Sequence, residues 1–284
     1  MKKGLISILK KGIIVAAVPV VLLAGHAKAA DLSGIINEVK NRVSISATYT
    51  KDFCNPLKAD YENWNDEMKE VRSNSRSPPM GIPTEWENME SPKNANMLGI
   101  EGKIKLFDFG ENKSWSVSAV GGYEKTATPV STEYSTSFVD VDNYTNSVNM
   151  DASLNYSRKS LGLNLEKKLG QFSVGGNIKA DFYNVAGNSD LEYYCPELQY
   201  VQWRDYECNG TGTGISLGVE GKYKLNDNVS ASIGAGYKSG KIQTTGSETI
   251  TLTSAPGWSK TNNYIPEFDF NNVCLSGNVE FKFQ

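Results

Sequence analysis

The most regularly spaced ionisable residues are acids and lysines that alternate with apolar residues. Side chains two positions apart on an extended strand point to the same face. Such a charged face can form ion pairs inside a protein or line a path for ions. This spacing occurs at Glu101, Lys103 and Lys105, at Glu220, Lys222 and Lys224, and at Glu280 and Lys282.

Histidine chemistry is not expected. The only histidine among the 284 residues is His26, and it lies in a predicted signal peptide. Residues 1–29 combine five lysines, no acid, an apolar run at 12–23 and a small-x-small site at 27–29, which is typical of a secretory signal. Its removal takes away every imidazole that could act as base, nucleophile or metal ligand. We therefore predict neither enzymatic activity nor a cofactor, and catalysis by a carboxylate pair is the competing hypothesis.

The net charge and the cysteine content limit which partners the protein can bind and indicate its cellular compartment. Without residues 1–29 the chain keeps 24 basic and 32 acidic residues, a net charge of −8, which argues against binding to nucleic acid. The apolar run of the signal is too short to span a membrane. All four cysteines, Cys54, Cys195, Cys208 and Cys274, follow the signal, so disulfides are expected in an oxidising compartment.

Strict period-two alternation follows residue 42 and predicts eight strands. Short and long connections alternate along the chain, which places both chain ends at the short-turn end. One segment is ambiguous, because its apolar parity flips near residues 158–160, and we interpret the flip as a β-bulge rather than a turn. The predicted strands are 43–51, 98–107, 115–125, 148–168, 172–183, 215–225, 229–238 and 273–283.

The two faces of these strands predict a closed antiparallel transmembrane β-barrel with long extracellular loops and short periplasmic turns. Residues 43–284 form the barrel in this interpretation, and residues 30–42 form a periplasmic segment. A soluble lipocalin-like binding barrel, with its apolar face inside, is the alternative. Two aromatic girdles on the apolar face favour the membrane interpretation: Tyr49, Tyr123, Phe182 and Tyr237 at the long-loop end, and Trp115, Phe172, Tyr223 and Phe281 at the other.

The architecture and the closing strand Val273-Cys274-Leu275-Ser276-Gly277-Asn278-Val279-Glu280-Phe281-Lys282-Phe283 resemble small bacterial outer-membrane barrels of the OmpA and OmpX type. The resemblance covers residues 43–283 and includes no diagnostic motif. It implies location in the bacterial outer membrane and contact with its lipid and lipopolysaccharide. In that family the last strand usually ends in an aromatic residue, whereas here Gln284 follows Phe283.

The polar faces are predicted to fill the barrel interior with a network of ion pairs, since eight strands enclose little more than their own side chains. A narrow pore for small solutes is the alternative. Lys168, Lys179 and Lys238 also belong to this face. The network is predicted to contain Glu101, Lys103, Lys105, Glu124, Asp151, Glu166, Asp181, Glu220, Lys222, Lys224, Glu280 and Lys282.

Barrel closure suggests how the cysteines pair. Cys54 follows the first strand and Cys274 opens the last, so a bridge between them would join neighbouring strands. Cys195 and Cys208 would then pair within the third loop and close 12 intervening residues, worth roughly 3 kcal/mol in chain entropy.

The four predicted external loops contain 20 acids and 8 bases. Two hypotheses follow: a solvated acidic surface whose carboxylates are bridged by divalent cations to lipopolysaccharide phosphates, or a surface for adhesion or for binding an extracellular protein or glycan. The candidate binding residues are Trp64, Trp86, Tyr193, Tyr194, Tyr200, Trp203 and Tyr206.

Overall fold

A computed structural model describes residues 42–53, 94–139, 145–196, 198–253, 258–264 and 267–282. The predicted signal peptide and all but Arg42 of the predicted N-terminal segment lie outside these residues. A search of the described residues finds no helix with the length and hydropathy needed to cross a bilayer. The strands are β1 (Val43–Asp52), β2 (Ala95–Phe109), β3 (Trp115–Thr126), β4 (Val130–Val139), β5 (Thr145–Leu169), β6 (Phe172–Cys195), β7 (Tyr200–Lys224), β8 (Val229–Leu252), β9 (Ser259–Tyr264) and β10 (Glu267–Lys282).

Eight of these strands form a ring in which every neighbour is antiparallel. Their order is β10-β1-β2-β3-β5-β6-β7-β8, and β8 pairs in turn with β10. The two remaining strands continue their neighbours: β4 pairs with β5 beyond the end of β3, and β9 pairs with β8 beyond the end of β10. The prediction of an all-β, antiparallel ring of eight strands is therefore confirmed.

Three tight connections lie at one end of the ring, as the sequence predicts, at residues 110–114, 170–171 and 225–228. Gly110 (φ 79°) and Gly170 (φ 71°) adopt the left-handed conformation that glycine tolerates without a Cβ clash. In the third turn the Asn226 side-chain oxygen accepts hydrogen bonds from the backbone N–H groups of Asn228 and Val229, both at 2.9 Å. Local turn chemistry thus explains why these connections stay short.

The opposite end differs from the prediction, because most of the predicted loop residues that the structure describes are strand. β5 to β8 contain 24 or 25 residues each, compared with 10 in β1. The predicted loop 184–212 is the paired continuation of β6 and β7, with a turn between Cys195 and Tyr200. Both faces of this segment are largely polar, so hydrophobic periodicity gave no strand signal. We call this part of β4 to β9, beyond the ring, the extension.

The bulge predicted near residues 158–160 is absent. β5 keeps one register with β3 and with β6 through this segment, and the register shift in the β2–β3 pair lies between Lys105 and Phe107 instead. The even-numbered side chains of β5 point inward both before and after residue 158, but the surroundings of the strand's two faces change near that residue. Leu154 and Tyr156 face an apolar core inside the start of the extension, whereas Leu161 and Leu163 face outward from the ring.

The ring has the reverse polarity of a soluble β-barrel. Outward Leu161 and Ile233 are 56% and 77% exposed, whereas inward Lys103 and Asp181 are 8% and 0% exposed. A lipocalin-like barrel would show the opposite distribution. Of the predicted girdle residues, Tyr49, Phe172, Phe182, Tyr223, Tyr237 and Phe281 are exposed, while Tyr123 is buried and Trp115 is half-buried.

Candidate functional site

The interior of the ring is lined by ionisable side chains at inward positions of every strand. Because the pleat alternates, each strand presents every second residue to this space. Among the described residues seven carboxylates meet five cations here, a less balanced set than the sequence predicts. We call this set the interior network: Asp52, Glu101, Lys103, Glu124, Arg158, Glu166, Lys179, Asp181, Glu220, Lys222, Lys238 and Glu280.

Arg158 forms the centre of the upper layer, next to the extension. Its guanidinium binds Glu124 and lies 3.4 Å from an Asp181 carboxylate oxygen. The Thr50 hydroxyl donates to the second oxygen of Glu124 at 2.8 Å, and the Tyr183 hydroxyl donates to Asp181 at 3.4 Å. One cation therefore compensates two buried carboxylates from β3 and β6.

A second contact in this layer joins strands on either side of β10. The Lys238 ammonium on β8 donates to Asp52 on β1 at 2.6 Å, and the Tyr156 hydroxyl donates to the other Asp52 oxygen at 2.8 Å. Lys238 and Asp52 are 186 residues apart in the sequence. Both side chains are almost fully buried, so the pair forms only when the ring is complete.

The middle layer connects β2, β6 and β7. Lys103 donates to Glu220 at 2.7 Å and lies 3.6 Å from Glu101, and Glu101 also binds Lys179. The Asn164 side-chain amide donates to the same Glu220 oxygen as Lys103 at 3.0 Å. Acids and bases alternate across this layer, which reduces the cost of burying each charge.

The lower layer lies toward the short turns. Lys222 bridges Glu166 at 2.6 Å and Glu280 at 3.1 Å. At the exit, Asp108 accepts hydrogen bonds from Lys105 at 3.1 Å and Lys168 at 3.5 Å. A cavity of about 60 Å³ lies beside the upper and middle layers, lined in part by Glu101, Glu124 and Lys179, with room for only a few water molecules.

The structure corrects part of the predicted network. Asp151 is exposed on the outer face because β5 has no bulge to invert its parity. Lys224 pairs with Asp227 in an exposed turn at 2.6 Å, and Lys282 is exposed at the end of β10. Lys105 lies at the exit rather than inside. The other eight predicted residues lie in the interior network.

Sequence reasoning missed two members of this network. Asp52 was assigned to a loop, although it continues the inward series of Thr48 and Thr50. Arg158 was assigned to the supposed bulge. Tyr156 and Arg158 are two residues apart on the same strand, so they point to the same face. This spacing is the sequence signal that could have identified Arg158 as an inward residue.

The predicted aromatic binding residues of the extension divide between its two faces. On the inner face, the rings of Tyr193 and Tyr200 lie 6.0 Å apart edge to face. Tyr194 and Trp203 are exposed on the outer face, on adjacent strands. Trp64 and Trp86 lie outside the described residues.

Tyr206 contributes to a polar cluster on the inner face of the extension. Glu248 accepts hydrogen bonds from Asn262 and Tyr206, each at 2.9 Å, and lies 3.4 Å from Arg204. These contacts, the Asn262 hydrogen bond foremost, lower the pKa of the Glu248 carboxyl, while burial raises the pKa of the Tyr206 hydroxyl. Glu248 thus accepts these bonds as a carboxylate at neutral pH.

A row of carboxylates crosses the outer face of the extension. Glu133, Asp151, Asp190 and Asp205 lie directly opposite one another on β4 to β7, and all four are exposed. The register therefore concentrates the negative charge that the sequence assigns to the external surface. Within the described part of the chain, no group of three or more His, Cys, Asp or Glu residues has a geometry that would hold a metal ion.

The register corrects the predicted bridge between Cys195 and Cys208. Cys195 lies opposite Tyr200, whereas Cys208 lies opposite Gly187, eight residues further along β6. Eight rows correspond to about 26 Å along a strand, far beyond the Cα separation of about 7 Å that a disulfide permits. Cys274 lies opposite Asp52 on the inner face and is a buried free thiol in this structure, which contradicts the predicted bridge to Cys54, a residue outside the described part of the chain.

Alkylation tests the corrected cysteine assignment. In a Cys54→Ser, Cys274→Ser double variant, denatured without reductant and treated with iodoacetamide, we expect two added carbamidomethyl groups by intact mass. Incorporation of none, with two after reduction, would mean that Cys195 and Cys208 are bridged and that the β6–β7 register is wrong.

Comparison with known proteins gives only a distant likeness. No known protein family matches the chain, and no curated protein matches it. Among solved structures, the transport unit of the autotransporter AIDA-I from Escherichia coli is 10% identical with a TM-score of 0.27, over 95% of this chain and 97% of that one. The translocator domain of the autotransporter NalP from Neisseria meningitidis is 10% identical with a TM-score of 0.16, over 89% and 93%. Similarity at these TM-scores carries no functional argument.

Proposed function

We propose that this protein is an outer-membrane β-barrel that spans the bilayer with its ring of eight strands and serves a structural or surface-interaction role. The observation that carries the proposal is the polarity of the ring, with exposed leucine, isoleucine and valine outside and buried ion pairs inside. Exposing this much apolar surface to water would be very unfavourable. Acyl chains are the environment that this outer face fits.

The height of the apolar face supports a transmembrane ring. Outward apolar residues extend over Leu161–Leu169 on β5, where Lys167 is an outward charge, over Phe172–Phe182 on β6 and over Ile215–Tyr223 on β7. These segments contain about 9–11 residues, the number that a tilted strand needs to cross the hydrocarbon layer. The closed ring also satisfies the backbone hydrogen bonds that an open sheet edge would leave unpaired in lipid.

The orientation follows from the two ends of the ring. Short turns are typical of the periplasmic side of such barrels and long segments of the external side. The extension then projects from the cell surface, with its carboxylate row, Tyr194 and Trp203 accessible to partners. We infer that this surface binds an extracellular protein or glycan, since exposed aromatic residues are enriched in recognition sites.

Membrane insertion is tested by fractionation and gel migration. We expect the protein to stay in the membrane pellet after alkaline carbonate extraction and to migrate faster in unheated than in heated SDS samples, because the ring resists SDS until heated. Release into the soluble fraction by carbonate would refute the proposal.

The register suggests a clean test of surface interaction. Asn188 on β6 lies opposite Glu207 on β7, so replacing residues 188–207 by Asn-Gly removes the hairpin tip at a matched pair and leaves the ring strands intact. We expect adhesion to host-cell or glycan surfaces to be lost while heat-modifiable migration is retained. Unchanged adhesion would mean that the tip of this hairpin does not carry the surface interaction.

The pore alternative makes an opposite prediction. An interior filled by paired, buried charges does not let hydrated ions pass freely. In planar bilayers we expect no sustained conductance from the purified protein. Steady single-channel steps from it would favour the pore instead.

A further inference from the structure

A polar groove crosses the outer face of β5 to β8 just where the extension begins. It has a volume of about 610 Å³, and its lining includes Asn155, Asn184, Asn209, Thr211 and Gln243. The register aligns Asn184 with Thr211 and Gln243 across three strands. Amide and hydroxyl groups without a carboxylate among them suit the hydroxyl groups of a sugar, since they both donate and accept hydrogen bonds.

Two lysines lie at the β3–β5 end of this groove. Lys125 faces Ser157 directly, and Lys159 is two residues from Ser157 on the same outward face. Both lysines are exposed, and neither forms an ion pair with another described residue. Diagonal neighbours of this kind lie about 7–8 Å apart. Two like charges so placed attract an anion that contacts both, and phosphate is such a group.

A second groove, almost entirely apolar, lies lower on the same strands. Its volume is about 790 Å³, and Gly176 forms part of its floor between Leu165 and Val219. Leu163, Ile178 and Leu217 line it next to this glycine. The absence of a side chain at Gly176 leaves an apolar depression in the outward face of the ring, whose chemistry suits an acyl chain.

The two grooves are spaced as the two ends of a lipid. Gly176 and Asn184 are eight residues apart on β6, about 26 Å along the strand. With the usual strand tilt this is about 20 Å along the membrane normal, close to half the thickness of a bilayer including its headgroups. A headgroup in the upper groove thus places its acyl chain over the lower one.

We propose that the outer face of β5 to β8 binds a phosphorylated glycolipid of the outer leaflet. The phosphate lies between Lys125 and Lys159, the sugar contacts the row of amides, and an acyl chain lies over Gly176. This inference rests on the proposed membrane insertion and names the lipid class that the inserted ring recognises.

Native mass spectrometry in zwitterionic micelles tests the site, with a synthetic bisphosphorylated, acylated glucosamine disaccharide as the probe. We expect one bound probe per wild-type chain. The Lys125→Gln, Lys159→Gln variant is expected to raise the Kd at least tenfold. Gly176→Leu is expected to do the same by filling the lower groove, and a Cβ there meets only the Gly218 carbonyl oxygen at 3.7 Å, so the fold accepts it.

Matched controls come from the same outward face. Lys167→Gln changes a lysine at the opposite border of β5, stacked over Trp115, and Gly277→Leu adds a side chain on β10, where a Cβ has nothing within 4 Å. Both controls are expected to bind the probe as wild type does, and the dephosphorylated probe and phosphatidylglycerol are expected to bind at least tenfold more weakly.

Equal binding of phosphatidylglycerol, or equal loss in the control variants, would overturn the site. Failure of the wild-type protein to refold to a heat-modifiable form in micelles would instead contradict membrane insertion. A protein that refolds but does not bind the probe would overturn this inference alone.

Discussion

Replacing Arg158 by methionine is expected to lower the free energy of unfolding by about 3–5 kcal/mol, the usual cost of leaving a buried charge without its partner. Arg158 is the cation that binds both Glu124 and Asp181, and its side chain is 7% exposed. Methionine retains most of the volume but leaves two carboxylates facing each other in a closed space. Urea unfolding in micelles, followed by tryptophan fluorescence and heat-modifiable migration, measures the loss.

Two comparisons separate the charge effect from a packing effect. Adding Glu124→Gln and Asp181→Asn to Arg158→Met removes the unpaired charges, and we expect it to recover at least half of the lost stability. Lys167→Met, on the outward face of the same strand, is expected to cost less than about 1 kcal/mol, because its contact with Trp115 is exposed. A change below about 1 kcal/mol for Arg158→Met would mean that the interior is hydrated enough to solvate both carboxylates.

Introducing arginine at Val219 is expected to destabilise the inserted ring by about 2–4 kcal/mol, as for charged residues facing lipid at the bilayer midplane. Val219 lies at the centre of the outward segment of β7 and is 63% exposed. In water the same substitution at so exposed a position would change stability by at most about 0.5 kcal/mol. Unfolding in phospholipid vesicles therefore distinguishes lipid from water as the surroundings of this face.

Thr213→Arg is the matched control for this experiment. Thr213 is exposed on the same face of β7, six residues above Val219 and beyond the apolar segment. We expect its effect to stay below about 1 kcal/mol, because arginine is tolerated near the interface. Equal effects at the two positions would contradict a membrane boundary near Ile215.

Period-two hydrophobicity predicts the ring strands well because their outer face requires apolar residues and their inner face requires polar ones. Apolar residues alternate with charged ones in the ring, where one face is apolar and exposed and the other meets the interior network. On β7, Ile215, Leu217 and Val219 alternate with Ser216 and Glu220, and this strand was found from sequence alone. The ring strands and eight of the twelve predicted interior residues were therefore accessible from the sequence.

The outer part of the extension was missed because neither of its faces is strongly apolar there. Trp203, Asp205 and Glu207 point outward while Gln202, Arg204 and Tyr206 point inward, so no hydrophobic period appears. The same cause produced the false bulge in β5. Near Arg158 the inner face changes from apolar core to ion pairs, and the outer face changes from polar to apolar, which mimics a shift of parity by one residue.

The contact between Lys238 and Asp52 has a consequence for biogenesis. Asp52 lies on β1 and Lys238 on β8, so this buried pair can form only after most of the chain has been synthesised, and the ring cannot be completed segment by segment from its N-terminus. A partly assembled intermediate would expose charged side chains of the interior network along its open side until the two ends of the ring meet. Such long-range closure also predicts slow folding in pure lipid vesicles.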